Sequence, residues 1–310
     1  MIVLLLIPLA LPWILPPLAR RTVGRVRPEI ALWTITAATV ALAVGVVACL
    51  GALLLPLALA IPQLAAVSDL IQPLQAGPKL LVLGVSALAA GFLTITGVTM
   101  VRRGVSEAKR LRTAQVDIAH LPDAGGLCVL DDPRPDAYAL PGGLRSPGRI
   151  VVTTGMLRCL DPREREALLA HERAHLAARH HLFLAAAQLA GWCHPALGAV
   201  LPHVSFAAER AADEAAAHAA GGRMLTAQAV GRAALAATRG RERSVLAAGA
   251  VTGPVPARVR ALLAQAPARR LVPALLAMVL LCASAGASSL AGAVWLHRGV
   301  EIAQGEHPAD

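Results

Sequence analysis

Residues 182–202 read LFLAAAQLAGWCHPALGAVLP, a stretch with no formal charge. It is long enough to cross a bilayer, which takes roughly 20 apolar residues, and whether it crosses decides the architecture. His171-Glu172-Arg173-Ala174-His175 precedes it and Glu209-Arg210-Ala211-Ala212-Asp213 follows it. A crossing would strand these two motifs on opposite faces of a membrane. The stretch is broken in its middle by Gly191, His194-Pro195 and Gly198. Each half is then about ten residues, or roughly 15 Å of helix, half the hydrocarbon thickness. The breaks predict a helical hairpin, dipping toward the membrane or packed within its domain, that returns the chain to the side it left.

The flanking motifs carry the chemistry. Asp161-Pro162-Arg163-Glu164 starts a helix: Asp161 can cap the first free amides, Pro162 suits the first helical position and Glu164 completes a capping box. On that helix His171 and His175 are four positions apart and share a face, so both imidazoles can reach one ion. Glu172 is rotated about a third of a turn away. It cannot comfortably bind the same ion, but it can hold and deprotonate a water beside it. That division of labour is the one a Zn2+ hydrolase needs. A third protein ligand is expected from a neighbouring helix, with an acceptor behind the histidines. Glu209 supplies the ligand, and Asp213, one turn later on the same face, can accept the free N–H of a ligating histidine. A Glu-x-x-x-Asp pair is common on exposed helices; on an Ala-rich helix downstream of the histidine pair it is less ordinary.

Composition places this unit at a membrane. Of the 310 residues 56% are hydrophobic, 3% aromatic and only 15% charged, where soluble chains carry about a quarter charged. Lipid is the solvent that fits the excess, and the scarcity of aromatics argues for helices over a lipid-facing barrel. The net charge of +10 lies largely in Arg residues flanking apolar runs, where it marks the cytoplasmic side. Without aromatic residues interleaved among the basic ones, no direct nucleic-acid partner is expected. Spans are expected near residues 1–18, 30–55 and 79–101, with Arg20-Arg21, Arg25 and Arg27 after the first and Arg102-Arg103 after the third. A fourth is expected over 271–296. The fold class is therefore mainly α and polytopic, with about four transmembrane helices and a cytoplasmic α+β domain between the third and fourth. The expected divisions are a membrane domain over 1–104, the cytoplasmic domain over 105–268, and the last span with a short tail over 269–310. Short strands are expected at 114–119, 126–131, 136–140 and 149–154, separated by Pro/Gly-rich breaks. Cys49, Cys128, Cys159, Cys193 and Cys282 form no CxxC pair, so neither a disulfide framework nor a thiolate metal site is expected.

At HERAH (171–175), Trp192-Cys193-His194-Pro195 and Glu209–Asp213 the chain resembles the membrane gluzincin peptidases, most closely the BlaR/MecR-type signal-transducing metallopeptidases. Ala137–Gly143 with Arg149–Thr153, and Pro256-Ala257-Arg258-Val259, are similar to segments of the related heat-shock and prenyl-protein membrane proteases. The resemblance covers about residues 100–268, plus the arrangement of three spans before and one after. It implies a zinc endopeptidase in a bacterial cell membrane, with its catalytic domain in the cytoplasm and a protein or peptide as substrate, a transcriptional repressor being one candidate. The penicillin-binding sensor of BlaR-type receptors has no counterpart in residues 297–310, so sensing of β-lactam by that route is not expected. The rival readings are a broad quality-control protease and a non-catalytic metal-binding signalling or scaffold protein.

Further expectations complete the picture. An extended substrate would add along an edge such as 149–154. His218 and Arg258 are candidates for stabilising an oxyanion, each weighed against an ordinary surface or packing role. His180 and His181 are expected to end the zinc helix and meet its C-terminal dipole. Tyr138 reads as core. Arg239–Arg243 is a possible site of self-cleavage.

Overall fold

The computed structural model describes residues 7–59, 79–143, 147–241 and 255–264, together with Met278 and Ala283. Apart from Met278 and Ala283, the expected fourth span lies outside the described residues, as do Cys282 and residues 242 and 243 of the Arg239–Arg243 stretch.

The first segment is interrupted. A 3-10 turn, Leu11–Ile14, leads into helix α1, Leu15–Val23. Pro12, Pro16 and Pro17 remove backbone donors in succession, which is why no single long helix forms there. Helix α2 runs Pro28–Leu59 and α3 runs Lys79–Asp117. Within them Pro28–Leu54 and Leu83–Asp117 are long and apolar enough to cross a membrane. Their outer faces leave Trp33, Val44, Leu80, Leu88, Ile95 and Val98 uncovered, an apolar expanse suited to lipid rather than water.

Helix α3 also corrects an expectation. The strand predicted at 114–119 is instead the end of this helix, as far as Asp117. After Gly104 the segment contains neither glycine nor proline before Pro122 and is rich in Glu, Lys, Arg, Ala and Leu, so helical propensity persists. The boundary placed at residue 104 thus falls inside one continuous helix.

Three strands follow: β1 (Leu127–Leu130), β2 (Ala137–Leu140) and β3 (Arg149–Thr153). Their order is β1-β3-β2, with β3 parallel to β1 and antiparallel to β2. Strand β3, expected at an edge, is the centre of the sheet. Its Ile150, Val151, Val152 and Thr153 are all buried, the continuous burial of a strand covered on both faces. Tyr138, expected in the core, is exposed on β2.

Helices complete the chain: α4 (Thr154–Cys159), α5 (Pro162–Ala177), α6 (His180–Cys193), α7 (Pro195–Gly198), α8 (Leu201–Ala219), α9 (Arg223–Arg241) and α10 (Val255–Leu263). The expected hairpin is the α6–α7–α8 unit. His194 turns it, its Nδ1 accepting from the Ala196 N–H at 3.2 Å. Gly191 and Gly198 let its arms close: a Cβ on Gly191 would lie 2.9 Å from the Gly198 Cα. The hairpin packs on α2 through one core that joins Ile35, Ala38 and Leu42 to Ala187, Leu197, Val204, Ala207 and Ala208. The alanines allow α8 to approach a membrane-type helix closely. Arg103 of α3 lies 5.5 Å from the centroid of the Trp192 ring, and Arg210 donates to the Val23 carbonyl at 3.2 Å. The helix bearing Glu209 is therefore moored to the membrane-type helices.

Candidate metal centre

Helix α5 begins as its sequence directs. Asp161 Oδ1 accepts from the Glu164 N–H at 2.9 Å, and Glu164 Oε2 accepts from the Asp161 N–H at 3.1 Å. Arg232 of α9 also donates to Glu164 Oε2 at 2.8 Å, tying the cap into the helical layer. Two turns on, α5 presents His171 and His175 side by side, with their Nε2 atoms 3.1 Å apart.

Helix α8 brings Glu209 against both rings. Its Oε2 lies 3.6 Å from His171 Nε2 and its Oε1 lies 3.6 Å from His175 Nε2. These three residues form the one candidate metal-holding cluster among the described residues. Zinc bonds of about 2.1 Å in a tetrahedron imply ligand-to-ligand separations of about 3.4 Å. The distances here bracket that value, and two imidazoles with a carboxylate are a zinc-type donor set. The residues fit the ion.

Behind the donors, Asp213 Oδ1 lies 3.1 Å from His171 Nδ1. The contact is ionic, because its angle leaves Nδ1 without a well-formed hydrogen bond. Burial disfavours the charge on His171, but Asp213 and Glu209 outweigh it and raise the pKa to about 10. His175 is driven the other way, to about 3, by burial and then by the neighbouring His171 charge. Burial alone would raise Glu209 and Asp213. His171 and Arg258 reverse that and hold each carboxyl at about 2. Without a bound cation, the positive charge of His171 and Arg258 keeps the two carboxylates ionised; a metal ion would take the place of the His171 proton, since an imidazole ligates only in its neutral form.

Glu172 stands apart from the donor cluster and is buried. Burial raises its pKa, opposed by the His171 charge and by the Ala139 N–H of β2, which donates to its carboxylate. A carboxyl whose pKa burial raises in this way is suited to receive and return a proton.

Two residues sit closer to the site than the sequence indicated. Arg258, on α10, is buried. Its Nη1 lies 2.6 Å from Glu209 Oε2, its Nη2 donates to Asp213 Oδ1 at 2.6 Å and its Nε to Asp213 Oδ2 at 2.9 Å. The signal available was its place one turn before buried Leu262, on the inner face of an amphipathic helix. The other is His180. Helix α5 stops at Ala177, Arg179 takes the left-handed conformation (φ 51°), and His180 opens α6 instead of ending α5. Its Nδ1 lies 2.9 Å from His175 Nδ1. One of the two nitrogens must carry the shared proton; when it is on His175, the Nε2 lone pair is free to face Glu209 and His171. His218, by contrast, is exposed beside Glu214 and Arg223, and no contact links it to the donor cluster among the described residues.

Fold and site together define a mostly helical chain with two helices long and apolar enough to cross a membrane, a His171-His175-Glu209 cluster that could hold a metal ion, and the buried carboxyl of Glu172 beside it. Residues 106–244 match the model of peptidase family M48, a match that contains every donor and supports a metallopeptidase of that family. No curated protein and no solved structure matches the chain significantly.

Proposed function

We propose that this chain is a membrane-bound zinc endopeptidase that hydrolyses peptide bonds of a cytoplasmic protein. The observation that carries the reading is the convergence of His171, His175 and Glu209 with buried Glu172 beside them. Bound zinc would polarise the scissile carbonyl and lower the pKa of a nearby water. Glu172 takes that water's proton on its carboxylate and later gives it to the departing amide nitrogen. Asp213 holds His171 in register, and Arg258 fixes the carboxylates of Glu209 and Asp213. The substrate adds as an extended strand along β2, the outer strand whose Ala139 N–H already reaches Glu172.

The cytoplasmic location is supported by the Arg residues that close the apolar runs. The choice of a repressor as substrate rests on the BlaR/MecR-type resemblance alone. Purified full-length chain should contain zinc, as should the Glu172→Gln variant, while only the wild type cleaves co-expressed cytoplasmic proteins. If the wild type cleaves nothing that Glu172→Gln spares, the enzymatic reading fails and the metal-binding scaffold replaces it.

A further inference from the structure

Between α1 and the hairpin lies an open cavity of about 860 Å³, lined by Pro16, Pro17, Arg20, Arg21, Gly24 and Arg25 from one side and by Ala199 and His203 from the other. We propose that it binds the phosphate of an anionic phospholipid headgroup. Arg20, Arg21 and Arg25 all line one hollow whose lining has no carboxylate. Among the described residues, Arg20, Arg21 and Arg25 have no ion-pair partner, whereas the neighbouring Arg27 pairs with Glu29 at 3.6 Å.

Position supplies the second argument. The cavity sits just before α2 begins at Pro28, where an apolar span meets its polar boundary. Trp13 and Ile14, on the turn preceding α1, are 62% and 53% exposed. Basic groups at one end of this short element and largely exposed apolar side chains at the other, with Trp13 meeting the His194 ring edge-on at 5.6 Å, match an amphiphile. A soluble phosphate would use only the basic end. Basic hollows of this kind at a membrane boundary are suited to acidic lipid headgroups. An occupied cavity would bridge α1 to the start of α8, reinforcing the buried bond from Arg210 to the Val23 carbonyl. The inference rests on the membrane reading of the chain and is independent of peptidase activity.

The test is calorimetric titration of the full-length protein in neutral detergent with short-chain phosphatidylglycerol, short-chain phosphatidylcholine and inorganic phosphate. Phosphatidylglycerol is expected to bind most tightly. Each lost arginine near a membrane surface weakens such binding about fivefold, so R20Q/R21Q/R25Q should weaken it on the order of a hundredfold. The variant K109Q/R110Q/R112Q removes the same charge farther along the chain, on α3, and should bind like the wild type. Ala199→Trp fills the hollow without altering charge and should also abolish binding, which guards against misfolding of the triple variant. Equal loss in both triple variants, or undiminished binding by Ala199→Trp, overturns the site. Inorganic phosphate binding as tightly as phosphatidylglycerol overturns the lipid assignment.

Discussion

Arg258 Nη1 lies 2.6 Å from Glu209 Oε2, while the rest of its guanidinium forks onto both oxygens of Asp213. One side chain from α10 therefore restrains both acidic residues that α8 contributes to the metal centre. Removing it leaves the buried carboxylate of Asp213 and the half-buried one of Glu209 with less compensating charge, a loss that costs about 3–5 kcal/mol. Arg258→Gln should lower the unfolding free energy by that order in chelator-treated protein, and by less with zinc present, since the cation then compensates Glu209. Arg258→Lys keeps the charge but not the fork and should fall between. Denaturation with and without chelator checks this; equal stability of Arg258→Gln and wild type under chelation would remove Arg258 from the site's support.

His180 should matter to metal affinity without touching the metal. Its Nδ1 contact with His175 Nδ1, at 2.9 Å, sets which nitrogen of His175 keeps the proton. Loss of such supporting partners typically weakens metal binding by about 10–100-fold. His180→Ala should weaken zinc by that factor in competition with a chromophoric chelator, while circular dichroism stays unchanged. An unaltered zinc affinity would show that His175 is oriented by other means.

Local chemistry made part of this structure legible in the sequence. The capping box at Asp161–Glu164 and the histidine pair ten residues on are encoded within a few turns of one helix, and both appear as read. The hairpin was readable because Gly191, His194-Pro195 and Gly198 interrupt a run that would otherwise pass for a span. Non-local facts were not readable. Strand β3 gains its central place by pairing with two segments upstream, which its own residues do not name. Arg258 meets Asp213 across 45 positions of sequence, and no local pattern ties α10 to α8. His180 opens α6 because Arg179 adopts a left-handed turn usually left to glycine or asparagine, a helix break that carries no familiar mark in the sequence.

The close approach inside the hairpin gives a sharper test of how the site is held. A methyl group on Gly191 would sit 2.9 Å from the Gly198 Cα and 3.3 Å from its nitrogen, against backbone that cannot swing away. Gly191→Ala should cost about 1–3 kcal/mol as an overpacked contact. Because α8 continues from this hairpin to Glu209, zinc affinity should fall as well. Melting temperature and chelator competition measured together decide it. A variant as stable and as zinc-avid as the wild type would mean that hairpin closure does not position Glu209.

Glu172 should be costly to the fold as well as central to the chemistry. Burial holds its pKa above the ordinary carboxylate range. For an acid, a raised folded-state pKa means that folding disfavours the ionised form, so the group subtracts stability increasingly as pH rises through that range. Glu172→Gln removes the ionisation and keeps the size. In chelator-treated protein the variant should therefore melt at a higher temperature than the wild type at neutral pH, with the difference shrinking toward acidic pH where the wild-type carboxyl is protonated. Its peptidase activity with zinc restored should fall by about 10²–10⁴, the usual contribution of a general base. Such a gain in stability on loss of activity is the trade expected where a site keeps a charge that the fold alone would not choose. Should the variant melt lower than the wild type at every pH, Glu172 would be a structural hydrogen-bond partner of β2, and the general base would have to be sought elsewhere.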